Sequence, residues 1–529
     1  MNYILINIFL LIIFTYYITK IKHGFHMLQL ESYKNERYRS WIKKNKNQIF
    51  KKRELLLFLP TILLFINKVV ALIIGIIIAI LLYLSREIYK EKKPLVITNR
   101  IKRMFITSSV IFFIFWILVN ISLSTIIVND ILSIIILVSS LSIINFIIIF
   151  SIYVVILINN INKPIENSIS KKFYNKAKKK LEEMPNIKVI GITGSYGKTS
   201  TKYILSTILE QKYNVLMTPE SFNTTLGVVR TINEKLNSMH QIFVCEMGAK
   251  NIGDIKEICD LVKPEYGILT AIGPQHLETF KTIENVRKTK MELVNEVSKK
   301  AFINYEDENI RQTKIEKENL KYGVSENCDI YAYDINITES GSIFSVHTKD
   351  GEITNIKTKL IGEHNIVNIV AAISVAKELN LTNEQIKAGI RFLKPVPHRL
   401  ELIKHQNGLT IIDDAYNSNI QGATKALEIL KLFNGKNRIL VTPGIVDLGE
   451  YAQKYNFELG KKAATCADYI ILVGEKQAKP IYEGIISEGY PKDKIFIAKD
   501  LQDAIKKWNE FSVKDSVILL ENDLPDNYL

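Results

Sequence analysis

The sequence predicts an α-helical transmembrane domain followed by α/β, and three observations predict it. Apolar residues crowd into the first 160 of 529 positions. Basic runs flank those apolar segments. Beyond Pro185, short apolar strands alternate with amphipathic helical patterns, the signature of a largely parallel sheet covered by helices. The hydrophobic content of 47% is ordinary, so only its distribution is informative.

Tyr3 to Thr19 is an uninterrupted apolar stretch, about one bilayer thick as a helix. No basic segment precedes it and no small-residue cleavage site follows, which excludes a signal peptide. Leu55 to Leu84 is interrupted by Asn67-Lys68 and reads as a hairpin of two short helices. Met104 to Val128 and Ile131 to Leu157 are two further spans, separated by Asn129-Asp130. With the basic loops inside, the path has five crossings, the N-terminus outside and the chain after Leu157 inside. A single long tilted helix over Leu55–Leu84 is the alternative.

Charge supports this placement. Lys20–Arg53 carries 11 Lys/Arg against Glu31 and Glu36. Ser85–Arg103 carries 7 against Glu87 and Glu91, and Lys163–Lys180 carries 7 against Glu166. These runs together exceed the net charge of +15, so the remainder is acidic. A nucleic-acid binder places its basic surface on the folded domain, so no nucleic acid is expected. The run Lys163–Lys180 reads as a basic helix lying on anionic membrane lipid. The cysteines Cys245, Cys259, Cys328 and Cys466 form no CxxC pair and read as buried thiols in a reducing compartment.

The domains expected are a transmembrane region over 1–160, a basic linker over 161–185, an ATP-binding domain over 186–394 and a last domain over 395–529. In the third, Lys188–Ile192, Gln241–Cys245 and Tyr266–Thr270 read as strands, Ser200–Gln211 and Asp254–Leu261 as helices. In the last, strands are expected over Leu409–Asp413, Arg438–Thr442, Tyr469–Val473, Lys494–Ile497 and Ser516–Leu520. Helices such as Gly422–Leu432 and Tyr451–Ala464 lie between them, a Rossmann-like pattern.

The strongest motif is Gly191-Ile-Thr-Gly194-Ser195-Tyr-Gly197-Lys198-Thr199-Ser200, between a strand and a helix. Glycines let the backbone curl its N–H groups around phosphate oxygens, and the helix N-terminus adds partial positive charge. Lys198 would bridge β- and γ-phosphates and Thr199 would bind Mg²⁺. Five residues, not the four of a strict Walker A motif, separate Gly191 from Gly197. The stretch ITGSYGKTSTK resembles the ATP loop of the Mur ligases, which typically reads TGTNGKT. The resemblance implies a central P-loop ATPase domain and a C-terminal Rossmann-like domain.

Further matches follow in family order. Asn223-Thr224 lies in a segment similar to N-x-N-T-x-x-G, near the substrate carboxylate. Cys245-Glu246-Met-Gly248-Ala249 resembles E-x-G-A, whose glutamate holds Mg²⁺ beside the loop threonine. His276 falls in a segment similar to N-I-G-x-x-H-L, whose histidine serves a second metal. Lys290 and Glu292 match the K-x-E-L helix, whose lysine is carbamylated in many relatives. CO₂ addition turns an ammonium into an oxygen ligand that Mg²⁺ prefers, so a carbamylated Lys290 is a hypothesis here. Asn365 matches the segment that packs on adenine, and Arg399 an arginine that reaches ATP phosphates. Asp413-Asp414-Ala-Tyr416-Asn417-Ser-Asn419 resembles D-D-x-Y-N-A-N-P, with an aspartate on the ribose and the Tyr-Asn pair framing the nucleotide. Alone, each is weak: a lone histidine is more often structural, and paired aspartates often cap helices.

The resemblance implies a ligase that uses ATP and two Mg²⁺ to activate a carboxylate as acyl phosphate and join it to an amine. The D-D-x-Y-N-x-N and C-E-M-G-A forms favour the branch that adds D-alanyl-D-alanine to a muramyl peptide precursor. Three departures stand out. The family's UDP-sugar domain is replaced by the membrane region. Leu520-Glu-Asn-Asp-Leu-Pro525 replaces a K-G-S-R-like turn, and Thr442-Pro-Gly444-Ile-Val-Asp-Leu-Gly449 replaces G-x-M-x-E-L-G. They keep the ATP machinery and leave the acceptor open, a lipid-linked peptide included. A polyglutamate-type ligase and a non-catalytic ATP-binding membrane switch are the competing readings. The expected location is the inner membrane, multi-pass, with the catalytic domains cytoplasmic.

Overall fold

The structure, a computed structural model, describes residues 2–522 apart from 46–48, 50, 87–93, 126–130, 406–407, 416–418, 447 and 513–514. The chain divides into two compact units, one running to Lys171 and one from Lys172 on.

The first unit is a helical bundle. Helices Asn2–Leu30 and Asn99–Thr125 contain the two segments long and apolar enough to cross a membrane, Tyr3–Leu30 and Asn99–Leu123. Their outer faces carry exposed Ile4, Leu11, Ile106 and Ile117, an apolar exterior that a water-soluble bundle would hide. The expected turn at Asn67 is present. The Asn67 side chain accepts from the Val69 and Val70 amides at 3.0 and 3.2 Å and starts helix Lys68–Leu84. The arm before it is only a 3₁₀ turn, Lys52–Leu57, and the short helix Phe58–Leu63.

The fifth expected span, Ile131–Leu157, is not one helix. Ile131–Ile149 and Ser151–Glu182 meet at a bend of 94°. Carbonyls on either side of the bend receive side-chain donors. The Lys20 ammonium reaches Ile148 O at 3.0 Å, and the Tyr38 hydroxyl reaches Ile152 O at 3.0 Å. Among the described residues, two long apolar helices, or three if the bent pair counts as one span, stand where five continuous crossings were expected. Lys20 also pairs at 2.8 Å with Glu54, whose other oxygen accepts from Tyr16 at 2.6 Å, all inside the bundle.

The second unit contains two sheets. The first has nine strands: β1 (Lys188–Thr193), β2 (Val215–Met217), β3 (Ile242–Glu246), β4 (Tyr266–Leu269), β5 (Lys300–Asn304), β6 (Asn319–Gly323), β7 (Ile330–Thr338), β8 (Gly341–Thr348) and β9 (Gly351–Thr358). Their order is β2-β3-β1-β4-β5-β6-β7-β8-β9. Pairing is parallel from β2 to β7, and β7-β8-β9 is an antiparallel meander. The parallel strands are buried on both faces, as continuous apolar runs require. Helix Glu363–Glu378 is buried from Asn365 to Ala376 and fills the core beneath them. From β1 the chain runs out to β2 and β3, then returns to β4 on the other side of β1. That reversal opens a crevice at the carboxyl ends of β1, β3 and β4, where ligands of such sheets bind.

The second sheet holds β10 (Glu401–Lys404), β11 (Thr410–Asp414), β12 (Arg438–Thr442), β13 (Tyr469–Val473), β14 (Ile495–Ala498) and β15 (Val517–Glu521). Their order is β10-β11-β15-β12-β13-β14, parallel except for β10.

The basic run Lys163–Lys180 is helical throughout, as part of Ser151–Glu182. Its last turns, from Lys172 on, belong to the second unit. Ala177 is buried, and Lys180 donates to Ile232 O and Asn233 O at 3.0 and 3.2 Å, at the carbonyl end of helix Thr225–Lys235. Lys180 is thus committed to a protein contact rather than a lipid surface.

Removing one member of a buried ion pair strands the other. Glu54→Ala should lower unfolding stability in detergent by about 3 kcal/mol. The Lys20→Met/Glu54→Leu double variant should recover most of it, as read by thermal unfolding.

Candidate active site at the carboxyl ends of three strands

β1 ends in the glycine loop, β3 ends in Glu246, and β4 leads into Ala271–Gly273. The last segment clamps the loop. Ser195 N donates to Ala271 O at 2.8 Å, and the Ser195 hydroxyl donates to Gly273 O at 3.0 Å and accepts from Gly273 N at 2.9 Å. The clamp explains the glycine at 194: a Cβ there would lie 2.0 Å from Thr270 Oγ1 and 2.8 Å from Ala271 N. Gly197, at φ +81°, starts helix Lys198–Leu209, and no side chain caps that helix. Its first amides are therefore available to an anion, as a phosphate site requires.

Lys198 folds back onto the loop, donating to Gly194 O at 2.6 Å and Ser195 O at 3.2 Å. Burial pushes its ammonium down to about 8; Glu246 opposes that shift and Arg399 adds to it. Lys290, on helix Ile283–Glu296, is 1% exposed. Burial lowers it well below the usual lysine range, and the charge of Lys198 lowers it further. Lys198 and Lys202 both act on the one carboxylate Glu246, and Arg399 adds its charge beside Lys198, a positive setting that a polyphosphate would balance.

Glu246 is the hub. Its Oε1 accepts from the Thr199 hydroxyl at 3.1 Å and the Asn223 amide at 2.9 Å. Its Oε2 stands 2.9 Å from the Lys202 ammonium, both groups being buried. Burial would raise its pKa, but Lys202 and Lys198 lead the causes that hold it below the usual carboxylate range. Two oxygens bound cis to an octahedral Mg²⁺ at about 2.1 Å stand about 3 Å apart. The Thr199–Glu246 pair fits that spacing, so these residues suit a magnesium ion.

The other expected residues are placed as follows. His276, at φ +51°, starts the short helix Leu277–Phe280 on the segment after β4, three residues past the Ser195 clamp. Among the described residues no three His, Cys, Asp or Glu side chains gather as a metal cage. Any ion here would complete its shell with phosphate oxygens and water, as Mg²⁺ commonly does. Ser200, Asn365 and Arg399 line one cleft with Ile204, Lys359 and Val396, between the two sheets of this unit. Thr224 caps helix Thr225–Lys235, its hydroxyl accepting from Gly227 N at 3.3 Å. Asp414 accepts from Leu400 N at 3.2 Å. Burial raises its pKa to about 6, against the pull of Arg399. Tyr416 and Asn417 lie outside the described residues.

Two residues, Lys202 and Asp307, escaped the sequence reading. Lys202 follows Lys198 by one helical turn. Asp307 bridges the loop and its clamp, accepting from Tyr196 OH at 3.2 Å and Ile272 N at 3.1 Å. It also caps Ile310 N at 3.0 Å, the only role its sequence signal suggests. Glu292 accepts from Gly253 N and Lys256 N at 2.7 and 2.8 Å and so caps helix Asp254–Val262.

Residues 192–376 match the Mur ligase middle domain, and residues 398–521 match the Mur ligase glutamate ligase domain. The chain belongs to the Mur ligase family. As a Mur ligase it is an ATP-dependent peptide ligase. It is 29% identical over 343 residues to UDP-N-acetylmuramoyl-tripeptide–D-alanyl-D-alanine ligase of Buchnera aphidicola subsp. Baizongia pistaciae, covering 64% of this chain and 70% of that one. With the enzyme of that name from Bacillus subtilis it is 28% identical over 349 residues, 65% of this chain and 75% of the relative. The crystal structure of MurF ligase from Thermotoga maritima in complex with ADP superposes with a TM-score of 0.59 at 27% identity, covering 67% of this Mur ligase and 80% of that chain. Residues 1–191 of the Mur ligase lie outside both family matches.

A methyl group at position 194 would collide with the clamp. Gly194→Ala should weaken ADP binding at least about 100-fold by calorimetry, with the melting temperature of the second unit little changed.

Proposed function

We propose that this Mur ligase adds D-alanyl-D-alanine, or a similar amine, to a muramyl peptide precursor at the cytoplasmic face of the cell membrane. Its working parts would be membrane helices over 1–160, a linker over 161–185, an ATP-binding domain over 186–394 and a closing domain over 395–529. The observation that carries the reading is the Thr199–Glu246 oxygen pair, 3.1 Å apart, beside a glycine loop that holds Lys198 with the charge of Arg399 acting on it.

In the proposed reaction a peptide carboxylate attacks the γ-phosphate of ATP, releasing ADP and leaving an acyl phosphate. The amine then attacks the acyl carbon, forming the amide and expelling phosphate. Amides from Gly194, Gly197 and Ser200 would hold phosphate oxygens, while Ser195, its own amide given to Ala271 O, keeps the loop in shape. Lys198 leaves the loop carbonyls and follows the charge on the transferring group. Thr199 and Glu246 would hold one magnesium ion, and His276 and Lys290 would serve a second. Bound magnesium supplies charge neutralisation for phosphoryl transfer. Asn223 and Thr224 lie toward the acceptor carboxylate. Asn365 flanks the adenine, Arg399 reaches the phosphates, and Asp414 with Tyr416 and Asn417 frames the ribose.

Lys290 is suited to carbamylation. CO₂ reacts with a neutral amine, and burial beside Lys198 keeps this one deprotonated more readily than a surface lysine. Among the described residues its amine donates no hydrogen bond that such a reaction would break.

A membrane site is supported by the two long apolar helices and their aliphatic outer faces. Because the helical unit precedes both family matches, a lipid-linked muramyl peptide is the second acceptor to test.

Full-length protein in detergent, given ATP, Mg²⁺, D-alanyl-D-alanine and UDP-N-acetylmuramoyl-tripeptide, should release phosphate only when both acceptor and amine are present. Phosphate release independent of either would overturn the proposal. Lys198→Ala should lower the rate at least about 1,000-fold. Lys290→Ala should lose comparable activity and regain part of it with small carboxylic acids. Intact mass at high bicarbonate should show one added CO₂ on the wild type and none on that variant. The undecaprenyl-linked acceptor, assayed in parallel, should be the better substrate if the membrane unit serves lipid recognition; equal or poorer turnover would reduce that unit to an anchor.

A further inference from the structure

We infer that Lys202 is a positioning residue that locks the acceptor-side loop, residues 218–224, to the carboxylate of Glu246. The inference rests on the proposed function for what that loop would hold.

Lys202 is fully buried one turn below the phosphate loop. Its ammonium has three donors and meets two acceptors on different elements. One is Glu246 Oε2 at the end of β3, at 2.9 Å. The other is the backbone carbonyl of Glu220, in the loop between β2 and helix Thr225–Lys235. Glu220 holds a left-handed backbone, φ +42°, which non-glycine residues adopt only at a cost. That conformation accompanies a carbonyl turned inward onto the buried ammonium.

The loop is fastened to β3 at both ends. Thr218 N donates to Val244 O at 3.0 Å, and the Thr218 hydroxyl accepts from Glu246 N at 3.0 Å. Asn223 meets Glu246 Oε1 at 2.9 Å, and Asn223 O accepts from Gly248 N at 2.7 Å. Lys202 fastens its middle. A buried ion pair is a poor source of net stability compared with apolar packing, so stability alone does not account for a lysine at this point. A cation that must reach a carboxylate and a carbonyl together does. Through it, the distance from the loop's polar edge to Thr199 becomes a property of one rigid assembly, which sets an acceptor carboxylate against the terminal phosphate.

The test compares wild type, Lys202→Met and Lys202→Arg as full chains in detergent. Hydrogen–deuterium exchange without ligand should be about ten-fold faster over residues 218–224 in the methionine variant, with residues 194–199 within about two-fold of wild type. The arginine variant should restore much of the protection. In steady-state assays with UDP-N-acetylmuramoyl-tripeptide, the methionine variant should raise KM for that acceptor about ten-fold and KM for ATP less than about two-fold. Unchanged exchange at 218–224, or acceleration spread evenly over the sheet, would overturn the inference. A rise confined to the KM for ATP would also overturn it. If wild type fails to turn over the muramyl tripeptide, the proposed function falls while the exchange comparison still decides the role of Lys202.

Discussion

The arrangement of the catalytic half depends on one buried carboxylate. Glu246 collects a hydroxyl from the phosphate-loop helix, an amide from the loop after β2 and an ammonium from one turn deeper in the same helix. A charge in that position is tolerable because a buried ammonium faces one oxygen and two hydrogen-bond donors meet the other. The same requirement fixes the relative height of β1 and β3, since Ile192 pairs with Glu246 in register. Slippage by one residue would turn the carboxylate to the other face of the sheet.

The helical unit also answers its buried polar groups from within. Its exterior is aliphatic, while its interior holds Lys20, Glu54, Tyr16 and the hydrogen-bonded pair Thr107–Asn162. Where hydrocarbon surrounds a bundle, association gains little from burying apolar surface, and polar contacts between helices carry more of the specificity. The bent helix pair follows the same logic: its carbonyls at the break are served by Lys20 and Tyr38 rather than left bare.

Much of this was legible in the sequence, for reasons that differ by element. β1, β3, β4 and the five parallel strands of the second sheet were read within a residue or two, because strands buried on both faces are short apolar runs with turn residues at their ends. The glycine loop was legible because its backbone demands are met by few residue types. The meander β7-β8-β9 was not read: in β7 and β9 buried residues are interspersed with exposed ones, so neither is a continuous apolar run. The break near Phe150 was invisible because a segment apolar all round has no periodicity to interrupt. Lys202 was overlooked because helix spacing says which residues share a face, not which face is buried.

The helix Ser151–Glu182 has a consequence for where the catalytic fold begins. Ala177 lies in the core that also contains Val189, Phe243 and Leu269, and Tyr174 and Leu181 pack against it. Asn233 donates to Phe173 O, and Lys180 closes the end of the neighbouring helix. Cutting the polypeptide at the first strand would strip away a wall of that core and leave a greasy seam in water. The frontier between the helical unit and the catalytic fold therefore runs through the body of a helix, and the natural scissor point for the catalytic fold alone lies ahead of Phe173.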